Sequence, residues 1–106
     1  VWVVETLRSL PLQAKIVLVS VVSSPQARST GEVYETYTSL CKRVGIDVLT
    51  QRRVSGLLSE LDLQGIVSAN IVNQGRRGRT KRITSLISPS IVKEVFQEDP
   101  ILASIL

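Results

Sequence analysis

The side chains with chemistry to offer are arginines and lysines, and they are gathered rather than spread. From Gln64 to Lys93 there is no aspartate or glutamate, while Arg76, Arg77, Arg79, Lys81 and Arg82 fall within seven consecutive positions. Like charges at that density repel one another and have no acidic partner nearby in sequence. Folding gains nothing from such a run, whereas a polyanion would relieve the repulsion. Gly75 and Gly78 bracket Arg76 and Arg77, and two glycines let a backbone turn tightly and press close to a ligand. Arginines on a slim hairpin suit the minor groove of a nucleic-acid duplex, whose negative potential deepens when the groove is narrow. The plain alternative is a solubilising tip.

A second group lies just upstream. With ~100° per residue, Val54, Leu57, Leu58 and Leu61 form one apolar stripe over a helix from Gln51 to about Leu63. Arg52, Ser55, Gly56 and Ser59 then face outward, with Gln51 and Arg53 at the flanks and Glu60 on the Arg53 edge. Gly56 removes a side chain at the centre of that face, so the helix axis can approach another surface closely. The major groove of a duplex, ~12 Å wide, admits one such helix. Thr50 and the first backbone amides mark the helix N-terminus, which favours a phosphate. An ordinary solvated helix face would carry two arginines equally well.

Other chemistries find no residues. Gly75–Lys81 has a superficial likeness to a phosphate-binding ATPase loop, but that loop requires Gly, four residues, then Gly-Lys-Ser/Thr. Here Gly78 is followed by Arg79-Thr80-Lys81 and leads into a strand. There is no histidine, which excludes histidine metal sites and histidine-based triads. Cys41 is the one cysteine, so thiolate zinc clusters and an intrachain disulfide are excluded, and its place on an apolar stripe reads as a core thiol. The carboxylates form no discernible acid–base pair. No catalytic residue, metal ligand or cofactor is expected in this chain.

These groups need a scaffold. The chain has 106 residues, 43% of them hydrophobic, four of them aromatic, and a formal charge of +4. That is one domain with an aliphatic core. Val1–Leu10 reads as a helix, and Pro11 opens a second one to about Ser24. The apolar run Ile16–Val22 is too short for a bilayer, which takes about 20 residues, and no signal peptide is visible. A cytoplasmic, reducing setting fits, with no membrane. Gln26–Thr30 is a polar connector. Thr30 is expected to cap a third helix, Gly31–Val44, whose stripe is Val33, Tyr34, Tyr37, Leu40, Cys41 and Val44, with Gly45 as its stop. Ile46–Leu49 links it to the fourth helix, capped by Thr50 and ended by Gly65. Alternation from Val67 to Val72 predicts a strand, Gln74–Arg79 a turn, and Lys81–Ile87 the returning strand. Ser88-Pro89 starts a fifth helix through Phe96, and Asp99-Pro100 a short closing one. The sum is a mainly α fold with a small β-hairpin, a winged helix-turn-helix spanning residues 1–106. The chain begins Val1-Trp2, without methionine, and enters directly on a helical pattern, as expected of a fragment of a longer protein.

The run Leu10-Pro11-Leu12-Gln13-Ala14-Lys15-Ile16-Val17-Leu18 resembles the opening helix of the C-terminal domain of archaeal replication initiators. These are relatives of the largest subunit of the origin recognition complex and of the helicase-loading cell-division-cycle protein. Gly31-Glu32-Val33-Tyr34 with Tyr37 and Leu40-Cys41 resembles that family's third helix. Leu57-Leu58-Ser59-Glu60-Leu61 with Gly65-Ile66-Val67 is similar to its recognition helix and first strand. Gly75-Arg76-Arg77-Gly78-Arg79-Thr80-Lys81 looks like its wing, with Arg77 where an aromatic is usual. The resemblance implies a parent protein with an N-terminal AAA+ ATPase module that binds ATP or ADP and is absent here. It implies double-stranded DNA at replication origins as partner, with the recognition helix in the major groove and the wing in an adjacent minor groove. By position it assigns Thr50, Gln51, Arg52, Arg53, Ser55 and Ser59 to the helix contacts, and Gly75, Arg76, Arg77, Gly78 and Arg79 to the wing. A nucleoid-associated place in the cytoplasm follows.

Two other readings stand beside it. A winged-helix transcription regulator often carries a dimerisation helix and an effector pocket, and neither is marked here. A protein-binding winged helix would dock a replicative helicase or a neighbouring initiator subunit. The apolar tail Ile101, Leu102, Ile105 and Leu106 keeps that reading open.

Overall fold

The computed structural model describes residues 2–24, 26–73 and 79–106. The turn expected over Gln74–Arg79 therefore lies, except for Arg79, outside the described residues, and Gly75, Arg76, Arg77 and Gly78 with it. The order is α1 (Trp2–Ser9), α2 (Leu12–Val22), α3 (Thr30–Val44), α4 (Gln51–Leu63), β1 (Val67–Asn73), β2 (Arg79–Ser85), α5 (Pro89–Phe96) and α6 (Pro100–Ala103). This is the expected mainly α fold with one hairpin.

The core is built around α2. Ala14, Ile16, Val17, Leu18, Val19, Ser20 and Val21 are all buried, because a helix apolar nearly all round must be covered on most sides. It packs against α3, α4, α5 and β2. Ser20 is the polar exception, and its hydroxyl donates to the Ile16 carbonyl at 2.9 Å, so burial leaves it satisfied. Val33, Tyr37, Leu40 and Cys41 reach in from α3, Val54, Leu58 and Leu61 from α4, Val67 and Ile83 from the sheet, and Val92, Val95 and Phe96 from α5. Leu102 and Ile105 also belong to this core, so half of the apolar tail covers its own domain. Ile101 and Leu106 stay exposed. Truncating a residue such as Leu58 to alanine costs about 2–5 kcal/mol, a large share of a small domain's stability.

Local signals set the helix ends. The cap of α3 is Ser29 rather than Thr30. Ser29 Oγ accepts from the Glu32 amide at 3.2 Å, and the Glu32 carboxylate accepts from the Ser29 amide at 3.0 Å. The reciprocal pair satisfies two helix-end donors at once, which a cap at Thr30 would not. Gly45 ends α3 at φ 71°, and Gly65 follows α4 at φ 78°, a left-handed conformation that suits glycine. Thr50 caps α4 by accepting from the Arg53 amide at 3.3 Å. Ser88 precedes Pro89 as expected but makes no capping bond; its hydroxyl pairs with that of Ser90 at 2.9 Å. Asp99 caps α6 by accepting from the Ile101 amide at 2.9 Å.

The hairpin is antiparallel, with a register from Val67 opposite Ser85 to Asn73 opposite Arg79. The returning strand thus lies two residues earlier than Lys81–Ile87. Ser85 Oγ donates to the Ile87 carbonyl at 2.7 Å and accepts from the Ile87 amide at 3.2 Å, so a local turn takes the chain off the ladder. The connector before α3 is more than a polar link. Arg28 makes a single antiparallel rung with Ile83 on the outer edge of β2. The Arg28 guanidinium donates to the Ser20 carbonyl and to Ser23 Oγ, both at 3.2 Å, which ties the connector to the end of α2.

Candidate nucleic-acid interface

Residues Val54, Leu58 and Leu61 are buried and orient α4. They lie within about 60° of one another on the helical wheel. Arg52, Gly56 and Ser59 fall on the far side and are exposed, as are Thr50, Gln51 and Arg53. Ser55 and Leu57 sit on the two flanks and are half-buried. Ser55 is thus less outward than the sequence predicts, and Leu57 less inward, because the buried stripe is narrower than four residues. A Cβ built on Gly56 would meet nothing within 4 Å, so the surface before it is open.

The hairpin is rooted beside α4. The Ile66 amide donates to the Leu61 carbonyl at 2.9 Å, and the Leu86 amide to the Ile66 carbonyl at 2.9 Å. These bonds join the end of α4 to both strands at their base. Ile83 is buried, Lys81 half-buried and Arg82 exposed, as strand alternation requires. Arg79 stands in the ladder opposite Asn73. Within the basic run, Arg82 has an acidic neighbour that sequence distance hid. The Glu32 carboxyl is held below the usual glutamate range, first by hydrogen bonds from the Ser29 amide and hydroxyl, then by the nearby charges of Arg28 and Arg82. Glu32 is distant from Arg82 in sequence, so the run still has no acidic partner nearby along the chain, and the fold brings this one carboxylate close to it.

The turn between α3 and α4 is held by side chains. Gln13 Nε2 donates to the Asp47 carbonyl at 3.0 Å. The Leu49 amide donates to Tyr37 Oη at 3.0 Å, and Tyr37 Oη donates to Gln13 Oε1 at 2.5 Å. Tyr34 Oη donates to the Leu49 carbonyl at 2.9 Å. Sequence reasoning placed Tyr34 and Tyr37 on an apolar stripe and saw no polar task for them. Burial pushes the Tyr37 hydroxyl up to about 12. It also raises the Cys41 thiol above its ordinary value, which keeps that buried thiol protonated and unreactive.

Among the described residues, no three of Cys, Asp and Glu come together so as to hold a metal ion, and no helix is long and apolar enough to cross a membrane.

The family model for the CDC6 C-terminal winged helix domain matches residues 5–95. The chain belongs to that family. The CDC6-type winged helix here is 47% identical over 100 residues to an ORC1-type DNA replication protein of Cenarchaeum symbiosum, covering 94% of this chain and 24% of the relative. It is 41% identical over 106 residues to the ORC1-type DNA replication protein of Thermococcus onnurineus, covering 96% of this chain and 26% of the relative. The chain spans about a quarter of the length of these curated relatives. Among solved structures it is similar to the Aeropyrum pernix ORC1 protein in complex with DNA, at TM-score 0.90 and 41% identity over 98% of this chain and 28% of that one. Drosophila ORC bound to DNA shares the fold at TM-score 0.74 and 13% identity, over 87% of this chain and 24% of that one. The resemblance to archaeal replication initiators and the winged-helix fold are both borne out by these matches.

Proposed function

We propose that this CDC6-type winged helix binds duplex DNA at replication origins, with α4 in the major groove and the arginine-rich hairpin in an adjacent minor groove. The observation that carries the reading is the open face of α4: exposed Arg52 and Ser59 flank Gly56, with nothing in front of it. The similar Aeropyrum pernix ORC1 chain, described in complex with DNA, supports it.

Arg52 is the base-reading residue, since an arginine can make a bidentate contact to guanine. Ser59 adds a second hydroxyl along the groove. Thr50 and the free amides of the first turn take a phosphate, with Gln51 and Arg53 on the flanking backbone. Half-buried Ser55 makes at most an edge contact. Gly75, Arg76, Arg77, Gly78 and Arg79 supply the wing, and Lys81 and Arg82 add phosphate contacts at its stem. The whole initiator would carry an AAA+ ATPase module ahead of this domain, act in the nucleoid, and engage a replicative helicase or a neighbouring initiator subunit. This chain itself would do no catalysis and hold no cofactor.

Titrating binding against salt, on origin and random duplexes, tests the reading. With about 4–6 phosphates neutralised, log K against log salt slopes at roughly −4 to −5. A flat dependence would sink it.

A further inference from the structure

We propose that Gln13, Tyr34 and Tyr37 form a clamp that sets where α4 begins, and through it the duplex-sequence preference of this domain. The inference rests on the DNA-binding reading above and adds positioning residues that never touch the duplex.

The clamp is a closed circuit. Starting at the Leu49 amide, the donors run to Tyr37 Oη, from Tyr37 Oη to Gln13 Oε1, and from Gln13 Nε2 back to the Asp47 carbonyl, two residues from the start. Tyr37 Oη accepts from Leu49 and so has one proton left to give. That proton must meet an acceptor, which fixes the carbonyl end of the Gln13 amide on Tyr37 and the NH2 end on Asp47. Tyr34 closes the other side by donating to the Leu49 carbonyl. Both polar groups of Leu49 are thus bonded to side chains of α3, and Leu49 directly precedes the Thr50 cap.

Geometry gives the circuit its consequence. Gln13 stands on α2 and the tyrosines on α3, the buried centre of the fold and the helix packed against it. α4 is therefore referenced to the rigid core through the peptide units just before its first turn. Arg52, which would read the duplex, and its flanking neighbours Gln51 and Arg53 follow at once. Recognition needs its groups held within about 0.5 Å, whereas phosphate attraction is long-ranged and tolerant of small displacements. Loosening the clamp removes no charge, so it should lower discrimination and leave non-specific attraction in place.

The test uses the 106-residue chain with two probes: a duplex selected by the wild-type chain from a randomised pool, and the randomised pool itself. Tyr34→Phe removes one hydroxyl from a half-buried site, where water can replace it. Gln13→Met keeps the side-chain length and loses both bonds. Affinity for each probe, salt slope, thermal midpoint and hydrogen exchange of the Leu49 and Arg53 amides are measured. In the double variant, preference for the selected duplex falls about tenfold, as expected when a base-reading contact is misplaced. Affinity for the pool and the salt slope stay within about twofold, and the Leu49 amide exchanges faster. Unchanged preference in folded variants overturns the proposal. So do parallel losses on both probes that track the thermal midpoint, since a merely structural role predicts them. If Gln13→Met fails to fold, Tyr34→Phe alone decides by the same comparison. A wild-type chain that binds no duplex, or selects none from the pool, fails the DNA-binding reading itself and takes the clamp's role with it.

Discussion

Arg28 and Ile83 exchange both of their backbone hydrogen bonds, Arg28 N–H to Ile83 O at 3.0 Å and Ile83 N–H to Arg28 O at 2.8 Å. The hairpin's outer edge is thereby stitched to the connector between α2 and α3. Arg28→Pro removes one of these donors, while Arg28→Ala removes only the guanidinium bonds to α2. The proline variant should be less stable than the alanine variant by about 1–3 kcal/mol, the cost of leaving a buried backbone acceptor unmet. Chemical denaturation of the two variants measures it, and equal midpoints would mean the rung carries no stability.

Gly56 lies mid-helix with open space where a Cβ would go. Gly56→Ala should stabilise the fold by about 0.8–1 kcal/mol, the helix-propensity difference. It should also weaken duplex binding, because a methyl now stands at the closest point of approach. Thermal melts and binding isotherms must move in opposite directions. A variant that is more stable and binds as well as wild type would show that the helix axis keeps its distance from DNA.

Arg52 is exposed on the same face. Arg52→Ala should cost about 1–3 kcal/mol on a preferred duplex and less on random sequence. Equal losses on both would make Arg52 a phosphate contact.

Changing Arg76, Arg77 and Arg79 together to alanine should leave stability within about ±0.5 kcal/mol per site and lower the salt slope by about three. A charge-matched control is Lys15, Lys42 and Lys93 to alanine, on α2, α3 and α5. Arg8 and Arg28 serve poorly in that control, since Arg8 pairs with Glu98 at 2.6 Å and Arg28 holds the connector. Equal loss of binding in both triple variants would reduce the wing to net charge.

Alkaline pH should weaken the fold through Tyr37. Its hydroxyl lies at about 12 in the folded chain against about 10 in an unfolded one. Between those values the unfolded chain has shed a proton that the folded chain keeps, so stability falls as pH rises from about 10 to about 12. Below about 10 the contribution is intact. Urea midpoints of wild type and Tyr37→Phe across this range should converge as pH climbs; a constant gap would contradict it.

Much of this was readable in the residues. The caps at Thr50 and Asp99 and the stop at Gly45 are local signals, and each appears where spacing puts it; of the stripe Val54, Leu57, Leu58 and Leu61, all but half-buried Leu57 are buried. The Ser29 cap was readable too, since Ser29 and Glu32 stand at capping-box spacing, but Thr30 is an equally good capping type one residue later. The Arg28–Ile83 rung was not, because a single rung leaves no alternating pattern. The circuit through Gln13, Tyr37 and Leu49 was hidden for a different reason: its members come together only after α2 and α3 pack. Of the candidate site, the exposed face of α4 was legible from periodicity. The closeness of Glu32 to Arg82 was not, because charge runs are read along the chain and that partner lies across the fold.

The hairpin is a beam clamped at one end. Among the described residues its last backbone rung on the outer edge is at Ile83, and the four rungs from Arg82 to Arg79 continue the ladder past it, an overhang of about 14 Å at strand spacing. A force at the far end of that overhang meets its first reaction at Ile83 and passes to Arg28. From there it reaches the neighbouring Ser29, the N-terminal bearing of α3. α3 in turn carries the two tyrosines that grip Leu49. The described end of the hairpin and the start of α4 are thus joined by one continuous chain of contacts, with Arg28 in the middle of it.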